Sequence, residues 1–360
     1  MVALLQRSIS KRIVNAYGSS GIVYDLSAIR HYGRENDPAE FGHYYHSNGE
    51  NREINFVMAV TRDSGIPVHH RIMPGNIVSV STVHNLAMEL KDYGMNSVTI
   101  VMDRGFYSES NVKELEKHRM VVSIPGTLSV YADLVKKSSG IENSGNYMQY
   151  VDETVFHRSF MNKMRYIVYY SAKRRAERME SFYTRLSETE KRLKHMMNVK
   201  FGNRSDMIRS VTESARGMGR YISIKFSGSS FTYTLKHRTV QSHTSGMGFF
   251  VLLTNTMISE EDILKIYRKK DVVEKAFMHS KYVMEPLYAH TEEGTRARVF
   301  LSILGYAIIA MIASRCGLTY SKIVEAMRGI KKVVYTSGSH STIELTKDQK
   351  ALLEKLSIEL

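Results

Sequence analysis

The segment SVTIVMDRGFYSESN (97–111) constrains the fold more than any other stretch of this chain. Val98, Ile100 and Met102 alternate with Thr99 and Val101, leaving almost no polar atom on either face. This pattern predicts a strand buried on both sides inside an α/β layer. The run ends in Asp103, and a carboxylate at the carboxyl end of such a strand faces the crevice where open α/β sheets bind ligands. Asp103 is therefore a candidate for chemistry. The position also suits a turn or cap residue, and Ser108 with Asn111 can cap the helix that follows. On this segment alone both readings stand.

The surrounding sequence supplies more of the layer. GIVYDLSAI (21–29) predicts a strand ending near Asp25, and residues 52–75 predict two strands joined at Asp63-Ser64-Gly65. Helical spacing over 80–93 puts Val83, Leu86, Ala87 and Leu90 on one side; a helix around 109–118 and a strand at 120–124 follow. Together these predict an α/β layer of mixed direction. After Pro125 come a strand at 164–171, a long charged helical segment at 172–199 and a hairpin of 221–226 with 231–237 around Gly228-Ser229-Ser230. The expected organisation is a polar lead-in at 1–20, a first core part at 21–125, a basic insertion at 126–245, a second core part at 246–320 and a C-terminal tail at 321–360. The second core part returns to a buried strand at 248–256 and continues into one long helix from about Glu260 to Lys281.

Charge points to the partner. The 360 residues carry 50 Lys or Arg against 36 Asp or Glu, a formal charge of +14. Residues 151–240 hold 19 of those cations and 8 of the acids, so one window accounts for +11. A concentrated basic region fits a nucleic-acid surface, with a solvated helix face as the alternative. Cys316 is the only cysteine, which excludes an intramolecular disulfide and a thiolate metal cluster and suits a reducing cytoplasm. Arg7, Lys11 and Arg12 interrupt the first 20 residues, so no signal peptide is expected. The uncharged run 299–314 falls short of the roughly 20 residues that span a bilayer and predicts a buried helix rather than a membrane anchor. His69-His70 reads as a strand-edge pair before a metal site.

Within the predicted helix, Glu274 and Lys281 follow Tyr267 by seven and fourteen residues, and seven steps of about 100° return to within about 20° of the start. The three share one stripe, with Lys270 beside them and Val273, Ala276 and Phe277 on a neighbouring apolar face. An amphipathic surface helix would show the same pattern. The string YRKKDVVEKAFMHSK is, however, similar to the Tyr, Arg, Glu, Lys signature of the insertion-sequence-four group of DDE transposases. The match falls on Tyr267, Lys270, Glu274 and Lys281, with lysine where that group has arginine. VTIVMDRGFYSESN resembles the segment around its second aspartate, GIVYDLSAI its first, and FFVLLTNT with PLYAHTEEGTRARVFLSILG its flanking core segments. The resemblance covers roughly residues 20–350 in the expected order. Asp25 to Asp103 spans 78 residues and Asp103 to Glu274 spans 171, and the longer gap is where the group places its mainly β insertion.

The resemblance implies an RNase H-like mixed sheet flanked by helices, with a β-rich and helical insertion between the second and third acids. It implies a DNA transposase that cleaves and joins strands at the ends of an insertion sequence with two Mg²⁺ ions, Mn²⁺ substituting. Asp25, Asp103 and Glu274 become the catalytic, metal-holding acids. Tyr267, Lys270 and Lys281 become contacts to DNA phosphate, as does Arg104 unless it forms an internal ion pair. Asp271 is the decoy for the third acid, and Asp37 and Asp63 are the decoys for the first. The implied partners are element ends, target DNA and a second copy of the chain in a synaptic complex, all in the cytoplasm at the nucleoid. Members of the group carry an amino-terminal recognition region before the first aspartate, and with Asp25 so near the start that region is expected to be missing. A nuclease on the same fold, or a decayed copy that binds DNA without transposing, are the alternative readings.

Overall fold

The computed structural model describes residues 2–17, 21–33, 39–41, 52–77, 79–95, 98–342 and 344–358. The chain forms two compact units: Met1–Pro125 with Leu253–Leu360, and Gly126–Leu252. The expected decoy Asp37 lies outside the described residues.

The first unit begins with helix α1 (Val2–Tyr17), where the sequence suggested only a polar lead-in. Its polar average conceals an inward stripe: Ser10 and Ile13 are buried, and Gln6 donates to the His70 carbonyl at 2.7 Å. The chain continues through β1 (Gly21–Arg30), β2 (Glu40–Phe41), β3 (Arg52–Thr61) and β4 (Pro67–Pro74). A 3-10 turn at Ser79–Thr82 leads into α2 (Val83–Asp92), followed by β5 (Thr99–Met102), α3 (Glu109–Glu114) and β6 (Arg119–Ser123). β4 and the two-residue β2 lie antiparallel on β3, β3 antiparallel on β1, β1 parallel to β5, and β5 parallel to β6. The order β4-β3-β1-β5-β6 is a three-stranded meander extended by two parallel strands, the mixed sheet of an RNase H-like fold. The β3–β4 hairpin turns at Asp63-Ser64-Gly65 as expected. Gly65 has φ +65°, a left-handed conformation that glycine adopts without cost.

β1 does not end at Asp25. It runs on to Arg30 because β3 pairs with it over its whole length, from Ile22 opposite Thr61 to Arg30 opposite Glu53. What ends at this point is the pairing with β5, whose last register pair is Tyr24 with Met102. Asp25 is thus at the place where one neighbour strand stops and the other continues.

The second unit lies between β6 and the remaining core elements in sequence. It contains α4 (Ser129–Lys137), an antiparallel meander of β7 (Tyr147–Tyr150), β8 (Glu153–Met161) and β9 (Arg165–Tyr170), then α5 (Ala172–Met196) and α6 (Arg204–Ser214). The hairpin of β10 (Ile222–Ser227) and β11 (Ser230–Leu235) and helix α7 (His237–Ser245) follow. α5 buries Phe182, Leu186, Thr189 and Leu193, spaced as one helical stripe, against Met207 and Val211 of α6 and Phe231 of β11. This leaves Arg175, Arg178, Arg185, Lys191 and Lys194 exposed. The insertion has its own core and a basic outer face. β12 (Phe249–Thr254) carries the chain back into the first unit. There Asn255 accepts from the Met120 backbone N–H at 3.0 Å and donates to the His118 carbonyl at 2.8 Å, fixing the strand exit to β6.

The long helix expected from Glu260 to Lys281 is two helices, α8 (Glu260–Arg268) and α9 (Asp271–Met284). At the joint the backbone tightens: Lys270 N–H bonds the Tyr267 carbonyl at 3.1 Å, three residues back, and Val273 N–H bonds the Lys270 carbonyl likewise. The charges explain the break. Lys265 and Arg268 complement the negative end of α8, while Asp271 and Glu274 complement the positive start of α9. α9 packs on β1 and β3, and Phe277 meets Phe56 of β3 edge-on with ring centres 4.9 Å apart.

α10 (Glu292–Cys316) is the one helix among the described residues long and apolar enough to cross a membrane by length and composition. Its stripe of Val299, Ile303, Tyr306, Ala307 and Ala310 is buried, and it packs against α9, α1 and β4. The residues read as a C-terminal tail instead fold into α11 (Tyr320–Arg328), a small hairpin of β13 (Lys332–Val334) and β14 (His340–Thr342), and α12 (Lys347–Leu356). Ile323 and Leu352 join Ala313 and Cys316 in one apolar cluster, and Thr346 with Gln349 forms a capping box on α12.

Because Phe277 holds α9 to the sheet, Phe277→Ala is expected to cost about 3–5 kcal/mol of stability. Chemical denaturation of the two proteins measures the difference.

Candidate active site

The β1–β5 register decides which acids meet. Since Tyr24 and Met102 are register partners on parallel strands, Asp25 and Asp103 leave that pair side by side, although 78 residues separate them in sequence. Neighbouring strands lie about 4.8 Å apart, so the Asp103 charge reaches Asp25, although burial is the larger influence on it.

The two acids are treated differently by their surroundings. Asp25 accepts the Leu26 backbone N–H at 2.8 Å. Burial, reinforced by the negative charges of Asp103 and Glu274, pushes its carboxyl up to about 6 against the opposing pull of that hydrogen bond and of Lys270. Asp103 receives three donors: its own Oδ1 takes the Arg104 backbone N–H at 2.7 Å and the Tyr267 hydroxyl at 3.2 Å, and Oδ2 takes Lys270 Nζ at 2.8 Å. Its partial burial opposes charge, yet the Lys270 and Tyr267 hydrogen bonds hold it below the usual carboxylate range. Asp103 therefore caps the short 3-10 turn Arg104–Phe106 and also faces the helices across the crevice. The cap reading thus holds, and the same carboxylate also faces Lys270 and Tyr267.

Lys270 is the hub. Its Nζ lies 2.8 Å from Asp103 and 3.3 Å from Glu274 Oε1, and its charge acts on Asp25. Burial alone would lower its affinity for a proton, but Asp103 and Asp25 raise it well above the ordinary lysine value. Tyr267, on the last turn of α8, is pushed up to about 12 by burial and by the Asp103 charge, so its hydroxyl stays a donor. Glu274, on the first turn of α9, remains largely exposed, with 59% of its side chain accessible.

Other expected residues separate from this group. Lys281 is half-buried two turns further along α9; burial depresses its proton affinity, and the charges acting on it are Glu285 and Glu53. Arg104 is exposed. Of the decoys, Asp271 pairs with Lys275 at 2.7 Å, and Asp63 in the β3–β4 turn pairs with Lys269 at 2.6 Å. His69 is buried, with Nε2 2.8 Å from Glu89 and Nδ1 3.1 Å from the Tyr93 hydroxyl; this pair braces β4 against α2. Sequence reasoning passed over Glu53, an acid 1% exposed in β3 opposite Arg30. The signal was there: a lone acid inside the apolar run 52–60, facing a cation across the strand pair.

Among the described residues no three His, Cys, Asp or Glu side chains are drawn together closely enough to hold one ion. The donor chemistry nevertheless fits a hard divalent cation. Asp103 and Glu274 contact one lysine whose charge also reaches Asp25, a half-buried acid whose proton affinity is raised by desolvation.

The sequence profile described as the transposase DDE domain matches residues 16–308, which contain all seven of these candidate residues. The chain belongs to that family. No curated protein matches it. Among solved structures, seven chains match; one is the cryo-EM structure of a piggyBac transposase synaptic complex with hairpin DNA, at 11% identity and a TM-score of 0.44, covering 94% of this chain and 51% of that one. This member of the family thus spans about half the length of that protein.

The raised Asp25 has a sign that can be measured. Its folded carboxyl keeps a proton up to about pH 6, whereas an unfolded one releases it near 3.8, so the folded state binds more protons in between. Stability from this group is therefore present below about pH 4 and lost as pH rises through 6. In metal-free protein, Asp25→Asn is expected to gain about 1–2 kcal/mol at pH 7.5 and nothing near pH 4, after allowance for solvent screening. Denaturant midpoints at the two pH values provide the check.

Proposed function

We propose that this chain is a DNA transposase of the insertion-sequence-four group, cleaving and joining strands at the ends of its element. The observation that carries this is the convergence of Asp25, Asp103 and Glu274 on Lys270, from two strands and a helix whose spacing follows the group's signature. Asp25 and Asp103 would hold one divalent cation, and Glu274, the most exposed of the three, would help to hold a second. When bound, two Mg²⁺ ions, or Mn²⁺ in their place, would activate the attacking hydroxyl and stabilise the leaving oxygen of the phosphodiester.

The residues of the chain do the rest. Tyr267 orients Asp103 by donating its hydroxyl to Oδ1, while Lys270 donates to Oδ2. Lys270, Lys281 and exposed Arg104 hold phosphates along the crevice. Lysine at 270 supplies the charge of the signature's arginine without its bidentate fork. The basic outer face of α5 offers a second, sequence-independent hold on DNA, which predicts steep salt dependence. Two ends must be brought together, so the active form is a synaptic assembly of at least two copies, working on cytoplasmic DNA.

The test is Glu274→Gln on duplexes carrying the terminal repeats that flank the coding sequence. Cleavage in Mg²⁺ should fall to background while the electrophoretic shift of the same duplex is retained. Full cleavage by the variant overturns the assignment, and cutting without any strand joining by the unaltered protein makes it a nuclease on this fold.

A further inference from the structure

Lys270 sits where a cation would have to act. Its ammonium is 2.8 Å from Asp103 and 3.3 Å from Glu274, only 19% of its side chain is accessible, and Asp25 lies within reach of its charge. A divalent ion needs oxygens of these same carboxylates. Two positive centres about 3 Å from the same oxygens repel each other, so the lysine and the ion compete. Lys270 occupies the joint between α8 and α9, belonging to neither helix, and a lysine stem is a flexible carrier of a point charge. An arginine would grip a carboxylate with two parallel bonds and release it less readily.

We propose that Lys270 is an internal counter-ion that closes the acid cluster in the metal-free protein and must leave it for a divalent cation to enter, its new partner being a DNA phosphate. This rests on the metal-dependent reading of the site above. It makes metal and DNA mutually supportive ligands: DNA that draws Lys270 away raises metal affinity, and metal that displaces it raises DNA affinity by the same factor. It also gives the lysine at this position a function that arginine would serve less well.

Mn²⁺ binding to the full chain without DNA, followed by the electron paramagnetic resonance of free Mn²⁺, tests the idea. Lys270→Gln should bind Mn²⁺ about 10-fold more tightly than the unaltered protein, while Lys270→Arg should bind no more tightly than it. A short duplex should tighten Mn²⁺ binding to the unaltered protein and have little effect on Lys270→Gln. Equal or weaker binding by Lys270→Gln, with Mn²⁺ still lost on Asp103→Asn, overturns the counter-ion role and leaves the metal site intact. Absence of Mn²⁺ from every variant overturns the metal reading and this inference together.

Discussion

Two carboxylates, Asp25 in β1 and Asp103 just after β5, are brought side by side by the parallel register, and burial weighs more on Asp25 than the charge of its neighbour. The parallel register forces the proximity, because aligning Tyr24 with Met102 fixes the next residue of each strand. The sheet relieves the charge unequally. Asp103 receives a backbone donor, a tyrosine hydroxyl and an ammonium, whereas Asp25 accepts one backbone N–H and feels the Lys270 charge against a larger effect of burial. The result is one acid held below the usual carboxylate range and one raised to about 6, a difference set by burial and by how directly positive charge reaches each.

That positive charge is delivered by the joint between α8 and α9. One continuous helix would set Lys270 on its side, flanked by intact turns. The switch from basic residues at 265–270 to acids at 271 and 274 ends one dipole and starts another, which places Lys270 at the break and Tyr267 just before it. Phe277 then keeps the start of α9 against β3, so Glu274 stays over the crevice. The basic insertion folds around its own core, with Phe182 and Leu186 inside, and leaves the acids of the first unit undisturbed in sequence order and register.

Much of this was legible in the amino-acid sequence. The buried run at 98–102, the β3–β4 turn at Asp63-Ser64-Gly65 and the 10–11 hairpin follow from alternation and turn chemistry, which are local properties. Asp25, Asp103 and Glu274 became candidates through the family resemblance of their surrounding segments. What escaped depends on non-local pairing or on weak local contrast. The extension of β1 beyond Asp25 is imposed by β3, not by its own residues. α1 and α12 look polar on average, and only their few inward residues, Ile13 and Leu352 among them, reveal a packed face. The helix break was readable from the charge switch but was masked by the apparent stripe of Tyr267, Glu274 and Lys281. The Tyr267 hydrogen bond to Asp103 required knowing which side of α8 faces the sheet.

The proposed function requires that Asp25, Asp103 and Glu274 together hold the divalent cations. Hydroxyl radicals generated by Fe²⁺ bound in place of Mg²⁺ cut the backbone nearest the ion, and sequencing the fragments locates it. The account predicts cuts beside Asp25 in β1, beside Asp103 after β5 and beside Glu274 in α9, all suppressed by excess Mg²⁺. Cuts confined to other parts of the chain, or cuts at these positions that excess Mg²⁺ leaves unchanged, would contradict it.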